Sequence, residues 1–297
     1  MMIISNKYLI KQMTYFCKNI YKHKQPTILI LDSGVGGLSI YTAIRKLLPY
    51  VWYLYFFDNQ AFPYGERSET FITNRVTSII KAVQNQHRLD LVIIACNTAS
   101  VVSLKILQNR FLFPIIGVIP AIKLASKLTR NGIIGVLATH RTVNHNYTWY
   151  LIKRFANKYK VLLLGTSELV NLAESKIYGE KISLSTLRNI LAPWLEIKQP
   201  PDTIVLGCTH FSLLKKELIA TLSSNSYLID SRRTIAKYSL RLLRHNKTLT
   251  KESGSINNFG SVRLNKIYCS MDTTAAIKLK SILLTHYNFF SLEILSI

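Results

Sequence analysis

The amino-acid sequence predicts an α/β fold of two pseudo-symmetric, doubly wound domains with mainly parallel sheets. Short apolar runs alternate with longer amphipathic segments along almost the whole chain, as in successive β-α units. The 297 residues suffice for two domains of ordinary size. Two of the apolar runs, one in each half of the chain, end in closely similar polar sequences. Together these observations favour two similar halves over one large core.

The first half contains three predicted strands, each followed by an amphipathic helix. The strands are TILILD (27–32), VWYLYFFD (51–58) and DLVIIAC (90–96), and their continuous apolar character is typical of buried parallel strands. The helices follow over SIYTAIRKLL, FITNRVTSIIKAVQNQ and VVSLKILQN. Ser68 precedes the second helix, where its hydroxyl can cap the first turn.

The second half contains four predicted strands with helices between them. The strands are GIIGVLA (132–138), KVLLLG (160–165), DTIVLGC (202–208) and SYLID (226–230). One helix, over TLRNILAPWLEI, contains Pro193. Regular alternation of strands and helices predicts a parallel sheet in this half as well.

Two internal echoes connect the halves. In DLVIIACNT and DTIVLGCTH each cysteine stands six residues after its aspartate, and the two cysteines lie 112 residues apart. The second echo relates ILILDSG to SYLIDSR, because both runs end in Asp-Ser. Buried parallel strands resemble one another by chance, but the pair of echoes favours duplication.

Composition indicates a packed protein of the cytoplasm. Hydrophobic residues make up 48% of the chain, and the longest apolar stretch, FLFPIIGVIPAI (111–122), is too short to span a bilayer. The N-terminal residues lack the apolar segment and cleavage site of a signal peptide. The four cysteines include no C-x-x-C pair, which argues against a zinc knuckle or a dithiol redox motif. Thiols in a cytosolic protein stay reduced, so a disulfide is not expected.

The formal net charge of +23 has two interpretations. A basic face would bind nucleic acid or another anionic surface. Alternatively, lysine and arginine have replaced acidic residues diffusely, because positive residues occur throughout the chain instead of in one run. The densest stretches are KNIYKHK (18–24) and SRRTIAKYSLRLLRHNKTLTK (231–251). The sequence leaves both interpretations open.

Polar residues gather at the predicted carboxyl ends of the strands, where open α/β sheets bind their ligands. They are Asp32 and Ser33, Cys96 with Asn97 and Thr98, Cys208 with Thr209 and His210, and Asp58 with the loop that contains Tyr64 and Gly65. Both Cys96 and Cys208 precede a predicted helix, whose first turn lowers a thiol pKa, with Thr98 and Thr209 as candidate caps. Buried packing explains a single cysteine, but two in matched settings favour a functional role.

The neighbouring side chains suit a small zwitterion. His210 can activate or relay the proton of Cys208 if an extended backbone brings the two side chains to one face. Asp32 can cap the following helix, receive a substrate ammonium or assist a thiol. Tyr64 and Gly65 form either a ligand-facing turn or simply a tight turn.

The glycine-rich run DSGVGG (32–37) invites comparison with a dinucleotide-binding loop. The G-x-G-x-x-G pattern fails because Ser39 stands where the third glycine belongs, and Asp32 would repel a pyrophosphate. The sequence also lacks a P-loop, a metal-binding histidine pair and a G-x-S-x-G elbow. We therefore expect neither a nicotinamide or flavin cofactor nor a metal.

Two thiols on either side of one carbon can invert its configuration, one removing a proton and the other donating one. At this point the sequence resembles the glutamate racemases, through LDSGVGGLSI (31–40), FDNQAFPYGERSE (57–69), ACNTAS (95–100), VIPAIK (118–123) and VLGCTHFSLL (205–214). The resemblance implies a first domain of 26–121 plus 232–297, a second domain of 122–231, an extension of 1–25, and an active site in the cleft between the domains.

The resemblance also implies roles for particular residues. Cys96 and Cys208 match the catalytic acid/base pair, and Asp32 and His210 match the groups that assist the thiols. The matching substrate contacts are Asp32, Ser33, Tyr64, Gly65, Asn97, Thr98, Thr209 and His210. An acidic residue of the second domain corresponds to Glu174, with Glu168 as the rival.

The family resemblance implies interconversion of L-glutamate and D-glutamate for peptidoglycan, without a cofactor. It further implies UDP-N-acetylmuramoyl-L-alanine as an activator, a gyrase interaction in some members, and a monomer or homodimer. The sequence has DSRR (230–233) where the family has Asp-Ser-Gly, so Arg232 either alters a turn or follows the basic composition. The alternatives are a related racemase of the aspartate type and a basic protein that binds DNA or gyrase on the same fold.

Overall fold

A computed structural model describes residues 25–222, 226–245 and 263–297, in which two parallel sheets carry helices on both faces. The strands are β1 (Thr27–Asp32), β2 (Trp52–Phe57), β3 (Leu91–Ile94), β4 (Ile115–Gly117), β5 (Ile133–Ala138), β6 (Lys160–Gly165), β7 (Thr203–Leu206), β8 (Tyr227–Ile229), β9 (Lys266–Cys269) and β10 (Ser291–Ile294). The expected extension lies outside these residues except for its last position.

The helices connect the strands in regular β-α alternation. They are α1 (Leu38–Leu47), α2 (Glu69–Gln86), α3 (Asn97–Arg110), α4 (Ile122–Leu128), α5 (His140–Asn144), α6 (Asn146–Phe155), α7 (Glu168–Ile177), α8 (Leu184–Leu195), α9 (Lys215–Thr221), α10 (Arg232–His245) and α11 (Thr274–Tyr287). Two short 3₁₀ turns span Tyr64–Glu66 and His210–Leu214. Of the helices in this part of the chain, none combines the length and the apolar character that a membrane crossing requires.

The sheets share one topology. The first has the order β10-β9-β2-β1-β3-β4, and the second has the order β6-β5-β7-β8. The four strands β2-β1-β3-β4 therefore correspond one to one with β6-β5-β7-β8, and every pairing is parallel. Cys96 and Cys208 follow the equivalent strands β3 and β7, which confirms the first echo. The second similarity, between ILILDSG and SYLIDSR, does not mark equivalent strands, because β8 corresponds to β4 and not to β1.

Each sheet is buried on both faces, as doubly wound folds require. In β1, Ile28 and Ile30 join one hydrophobic cluster while Leu29 and Leu31 join another on the opposite face, following the two-residue period of a strand. The second sheet likewise divides its strands between two clusters. This burial on both faces explains why the strands read as continuous apolar runs.

The chain passes between the sheets at two crossovers, and they are hydrogen-bonded to each other. The Ser231 hydroxyl donates to the Ile119 carbonyl at 2.5 Å. The first crossover follows β4, and the second follows β8. The predicted domain boundaries at 121/122 and 231/232 fall in these crossovers, and as boundaries they remain predictions. Arg232 begins α10 and pairs with Asp230 at 2.7 Å, so the DSRR departure supplies an ion pair at the helix start.

Candidate active site

The carboxyl ends of β1, β3 and β7 bring the predicted residues together between the two sheets. The Thr209 hydroxyl, from the second sheet, donates to Asp32 Oδ2 of the first sheet at 3.2 Å. Asp32 Oδ2 also accepts from the backbone N–H of Gly37 at 2.5 Å. Gly37 itself is the N-cap residue of α1, so the prediction that Asp32 caps this helix is wrong, although its carboxylate lies at the helix start. Asp32 is completely buried, and burial raises the pKa of its carboxyl.

Asp32 has a second carboxylate oxygen that remains unpaired. Oδ1 is buried and has no hydrogen-bond partner among the described residues. A buried carboxylate oxygen without a donor is costly, so a group that supplies a donor there would be bound favourably. The atom is therefore suited to a cationic group of a substrate.

Cys96 lies at the N-cap position of α3 and is 6% exposed. The Ser33 hydroxyl donates to its sulfur at 3.9 Å. Burial raises the pKa of the Cys96 thiol well above its ordinary value, and the nearby Asp32 carboxylate raises it further. The backbone N–H of Ala99 works in the opposite direction. The sequence predicted a lowered thiol pKa, but at Cys96 burial outweighs the helix start.

Cys208 forms one end of a chain of side chains with His210 and Glu174. The Cys208 sulfur lies 3.9 Å from Nδ1 of His210, and Nε2 of the same ring lies 2.7 Å from Glu174 Oε1. The backbone at Thr209 is helical rather than extended, so the assumed geometry was wrong although the two side chains do meet. Burial opposes protonation of His210, but its hydrogen bonds to Cys208 and Glu174 raise its pKa well above the ordinary value.

Glu174, and not its rival Glu168, contacts His210. Glu168 lies in the first turn of α7, whereas Glu174 lies in the last turn. Glu174 Oε1 also accepts from the backbone N–H of Val35, in the loop after β1, at 3.1 Å. The Glu174 carboxylate therefore connects the two halves as well as orienting His210.

The glycine loop after β1 packs against the end of β7, so its glycines need no phosphate to explain them. A Cβ on Gly36 would lie 2.6 Å from Nδ1 of His210, 2.6 Å from the Thr209 hydroxyl oxygen and 2.7 Å from the His210 backbone nitrogen. Only glycine allows this approach. The contact agrees with the rejection of the dinucleotide interpretation.

Tyr64 uses its hydroxyl within the protein. Its ring is buried, and the hydroxyl donates to Asp58 Oδ2 at 2.7 Å. Arg75 holds the same carboxylate by two hydrogen bonds of 2.9 and 2.8 Å. The backbone of Gly65 approaches the second half, where an added Cβ would lie 3.2 Å from Thr139. These contacts fix the conformation of the loop and place Gly65 next to Thr139 of the second half.

Three buried threonine hydroxyls form a triangle that the sequence did not predict. Thr98 lies 3.0 Å from Thr139 and 3.2 Å from Thr142, and the last two lie 3.0 Å apart. Thr98 therefore does not cap α3, and Thr209 does not cap its own turn because its hydroxyl binds Asp32. Thr139 follows β5 as Ser33 follows β1, so the duplicated topology is the signal that could have found it.

Asn97, the first residue of α3, is hydrogen-bonded to the segment after β4, the strand that pairs with β3. Its side-chain N–H donates to the Val118 carbonyl, just after β4, at 3.0 Å. Asn97, Ser33 and Thr98 are all nearly or completely buried around Cys96. Apart from Glu174, which lies in α7, the residues of the predicted site lie at the strand ends or in the loop that contains Tyr64 and Gly65.

Two thiols after equivalent strands, with a carboxylate beside one and an imidazole beside the other, define an α/β protein equipped for two-sided proton transfer. Comparison with known proteins identifies the family to which this protein belongs. Residues 29–238 match the Asp/Glu/Hydantoin racemase family, and the chain belongs to it.

Within that family the relatives are glutamate racemases. The chain is 50% identical to the glutamate racemase of Sodalis glossinidius over 274 residues, which is 92% of both chains. It is 50% identical to that of Salmonella typhi over 273 residues, 92% of this chain and 93% of the relative. The structure of Escherichia coli glutamate racemase in complex with L-glutamate and the activator UDP-MurNAc-Ala superposes with a TM-score of 0.85 at 49% identity, over 92% of this chain and 98% of that chain. The isoform RacE1 of Bacillus anthracis superposes with a TM-score of 0.75 at 25% identity, over 93% and 98% of the chains.

Proposed function

We propose that the chain interconverts L- and D-glutamate, with Cys96 and Cys208 as the proton-transfer pair at the α-carbon. The observation that carries these roles is the equivalence of the two cysteines, which follow matching strands of two sheets joined directly by the contact between Thr209 and Asp32. As a member of the glutamate racemases the protein is an isomerase, and its product serves peptidoglycan synthesis in this family.

The reaction needs one thiolate and one thiol at the same time. The thiolate takes the α-proton, which breaks the C–H bond and leaves the electron pair on the α-carbon. The opposite thiol then gives its proton to the other face, which forms the new C–H bond and leaves that sulfur as the thiolate. In the reverse direction the two cysteines exchange roles, so no oxidant or reductant is consumed.

The surroundings of the two thiols differ in charge and in hydrogen bonding. A protonated His210 places a positive charge 3.9 Å from the Cys208 sulfur, and Glu174 stabilises that charge. At Cys96, burial and the Asp32 carboxylate hold the thiol in its protonated form. Cys96 is therefore suited to begin a turnover as the thiol that donates a proton.

Asp32 Oδ1 is the proposed partner of the substrate ammonium, because it is buried and otherwise unpaired in the described chain. Ser33, Asn97, Thr98 and Thr209 provide hydroxyl and amide groups around the same position. Donors fixed by the fold stabilise charge that builds up beside the α-carbon. Gly65 contributes its backbone from the loop that Tyr64 anchors.

Exchange of the α-hydrogen of glutamate with solvent tests the proposed proton transfer. Incubation of the purified protein with L-glutamate in deuterated water should exchange the α-hydrogen and abolish the optical activity. Cys96→Ala and Cys208→Ala should each lower racemisation by at least ~10²–10⁴-fold, the usual contribution of general acid–base catalysis. Cys269→Ala is the matched control, because this buried thiol is the last residue of β9 and donates to the Glu293 carbonyl instead of facing the site. Full racemisation by either active-site variant would contradict the assignment, and preferential turnover of L-aspartate would favour the aspartate-type alternative.

An anionic activator is the second part of the proposal. A cavity of about 920 Å³ lies over the crossovers, next to Pro120 and Ser231. Six cationic side chains line it, namely Lys105, Lys123, Lys127, Arg154, Lys237 and Arg241, with no acidic residue among the described lining. The size suits a ligand larger than an amino acid, and the charge suits a diphosphate. We propose that UDP-N-acetylmuramoyl-L-alanine binds here and acts through the crossovers.

Racemisation measured with and without that nucleotide tests the regulatory site. Arg241→Met should raise the activator concentration needed for half-maximal activity while the activity without activator stays the same. The same basic surface could bind DNA or a gyrase partner, and DNA affinity that falls steeply with salt would favour that alternative. Equal activation of wild type and Arg241→Met would remove the cavity as the activator site. We expect the enzyme to act in the cytoplasm, where its substrate is available.

A further inference from the structure

The contact between Glu174 and His210 depends on how two separate segments are seated on each other. Glu174 belongs to α7, and His210 begins the 3₁₀ turn His210–Leu214. Leu169 and Ala173 of α7 share a hydrophobic cluster with Phe211 of the turn. Apolar packing is non-directional, so it brings the segments together without fixing their register. A hydrogen bond of 2.7 Å requires a register that is fixed more closely.

Lys176 supplies a directional link between the same two segments. Its ammonium donates to the Leu213 carbonyl at 2.8 Å and lies 2.7 Å from Glu217 Oε1 at the start of α9. Lys176 stands two residues after Glu174 in α7, and Leu213 stands three residues after His210 in the turn. Residues two apart on a helix point in different directions, so Lys176 reaches the turn without entering the site.

The Glu217 carboxylate that binds Lys176 stays ionised at neutral pH. Burial works against the Glu217 carboxylate, but the hydrogen bond from Lys176 keeps its pKa below the ordinary value. Both side chains are only partly exposed, at 31% and 21%. The ammonium also satisfies a carbonyl near the end of a short turn, where backbone acceptors commonly lack a partner.

We propose that Lys176 is a positioning residue for the Cys208 side of the site, because it fixes α7 and the 210–214 turn at the spacing that joins Glu174 to His210. The proposal rests on the proposed racemase function for its kinetic consequences. Its structural consequence, the loss of the Glu174 contact from His210, does not depend on that function.

Lys176→Met keeps an unbranched side chain that is one heavy atom shorter, and it removes the donors. We expect kcat for glutamate racemisation to fall ~10–100-fold, since a displacement of about 1 Å in a catalytic group can cost ~100-fold. KM should change less than threefold, because Lys176 contacts no proposed substrate ligand. The titratable neighbours of His210 are Glu174, Cys208 and Asp32. Losing Glu174 removes a contact that raises the His210 pKa, so the alkaline limb of the pH profile should move to lower pH.

Matched variants separate positioning from general damage. Lys176→Arg retains charge and donors and should keep at least a third of the wild-type kcat, whereas Lys181→Met removes an exposed lysine just beyond α7 and should behave as wild type. The His210 titration, followed by NMR of the imidazole, should shift downward in Lys176→Met alone. Unchanged kcat and an unchanged His210 titration in a folded Lys176→Met protein would overturn the proposal. An inactive wild type would overturn the racemase function, while the NMR titration would still decide the positioning role.

Discussion

The contact of Gly36 with the end of β7 gives a prediction whose size follows from the structure. An alanine Cβ at position 36 would lie 2.7 Å from the His210 backbone nitrogen and 2.6 Å from both the Thr209 hydroxyl and the His210 ring. Ordinary contacts of a Cβ begin at about 3.4 Å. A side chain could rotate away, but the backbone nitrogen could not. The loop and the 3₁₀ turn would therefore have to separate by about 0.7 Å, which is that shortfall.

That separation acts on the site from both sides. It stretches the hydrogen bond from Thr209 to Asp32, and it displaces the chain at Cys208, which is two residues before His210. Displacements near 1 Å cost ~100-fold in rate, so we expect Gly36→Ala to lower kcat/KM by about 10–100-fold. Gly36 has no positive φ, so the effect comes from the contact and not from backbone strain.

The assay is the initial rate of L-glutamate racemisation, with thermal unfolding measured on the same samples. Gly132→Ala is the matched control, because Gly132 has φ 78° but an added Cβ there would meet nothing within 4 Å. Gly132→Ala should lose ~1–2 kcal/mol of stability and keep its kcat. If folded Gly36→Ala retains more than a third of the wild-type kcat/KM, the close approach of the two halves is not part of the active geometry.

Three further predictions concern the buried charges. Glu174→Gln should reduce the free energy of unfolding most below pH 6.5, and the difference from wild type should shrink as the pH rises. The reason is that the raised pKa of His210 stabilises the fold only while the ring is protonated. Urea titrations at several pH values measure this difference. Arg75→Met leaves the Asp58 carboxylate buried without its counter-ion and should cost ~3–5 kcal/mol in the same assay. Tyr64→Phe should cost ~1–3 kcal/mol yet leave KM for glutamate within twofold, because the hydroxyl is committed to Asp58; a large rise in KM would show direct contact with substrate.

The sequence predicted seven of the ten strands in the described residues. β1 and β6 match their predicted bounds, and β2, β3, β5, β7 and β8 lie within theirs. Ser68 caps α2 as predicted, by accepting from the backbone N–H of Phe71. Three strands were not predicted: β4, β9 and β10. They have only three or four residues each, and β10 is a partly exposed edge strand without the continuous apolar signal.

The site was predictable where residues follow strands and was missed where tertiary contacts decide. Strand-end position identified Cys96, Cys208 and Asp32, since parallel strands deliver their ends to one edge of a sheet. No local pattern indicates that the Thr98 hydroxyl binds other threonines instead of the helix end, because those hydroxyls belong to Thr139, just after β5, and to Thr142 in α5. The same limit applies to the pKa of Cys96, which burial controls and which a helix start alone cannot reveal.

The duplicated topology and the unequal chemistry of the halves together explain how one fold can invert a carbon. Equivalent strands β3 and β7 set two thiols in matching positions. The residues around them are not equivalent. Asp32 ends β1, but its counterpart at the end of β5 is Ala138. His210 follows Cys208 by two positions, and its counterpart after Cys96 is Thr98.

This inequality has a consequence for proton transfer. Two thiols in identical surroundings would ionise alike, and two buried thiolates or two thiols cannot transfer a proton across the α-carbon. The His210 and Glu174 pair stabilises charge separation on one side, while burial and the Asp32 carboxylate oppose a second thiolate on the other. Symmetry of the backbone thus provides two matching thiol positions, and asymmetry of the neighbouring side chains gives the two thiols different electrostatic surroundings.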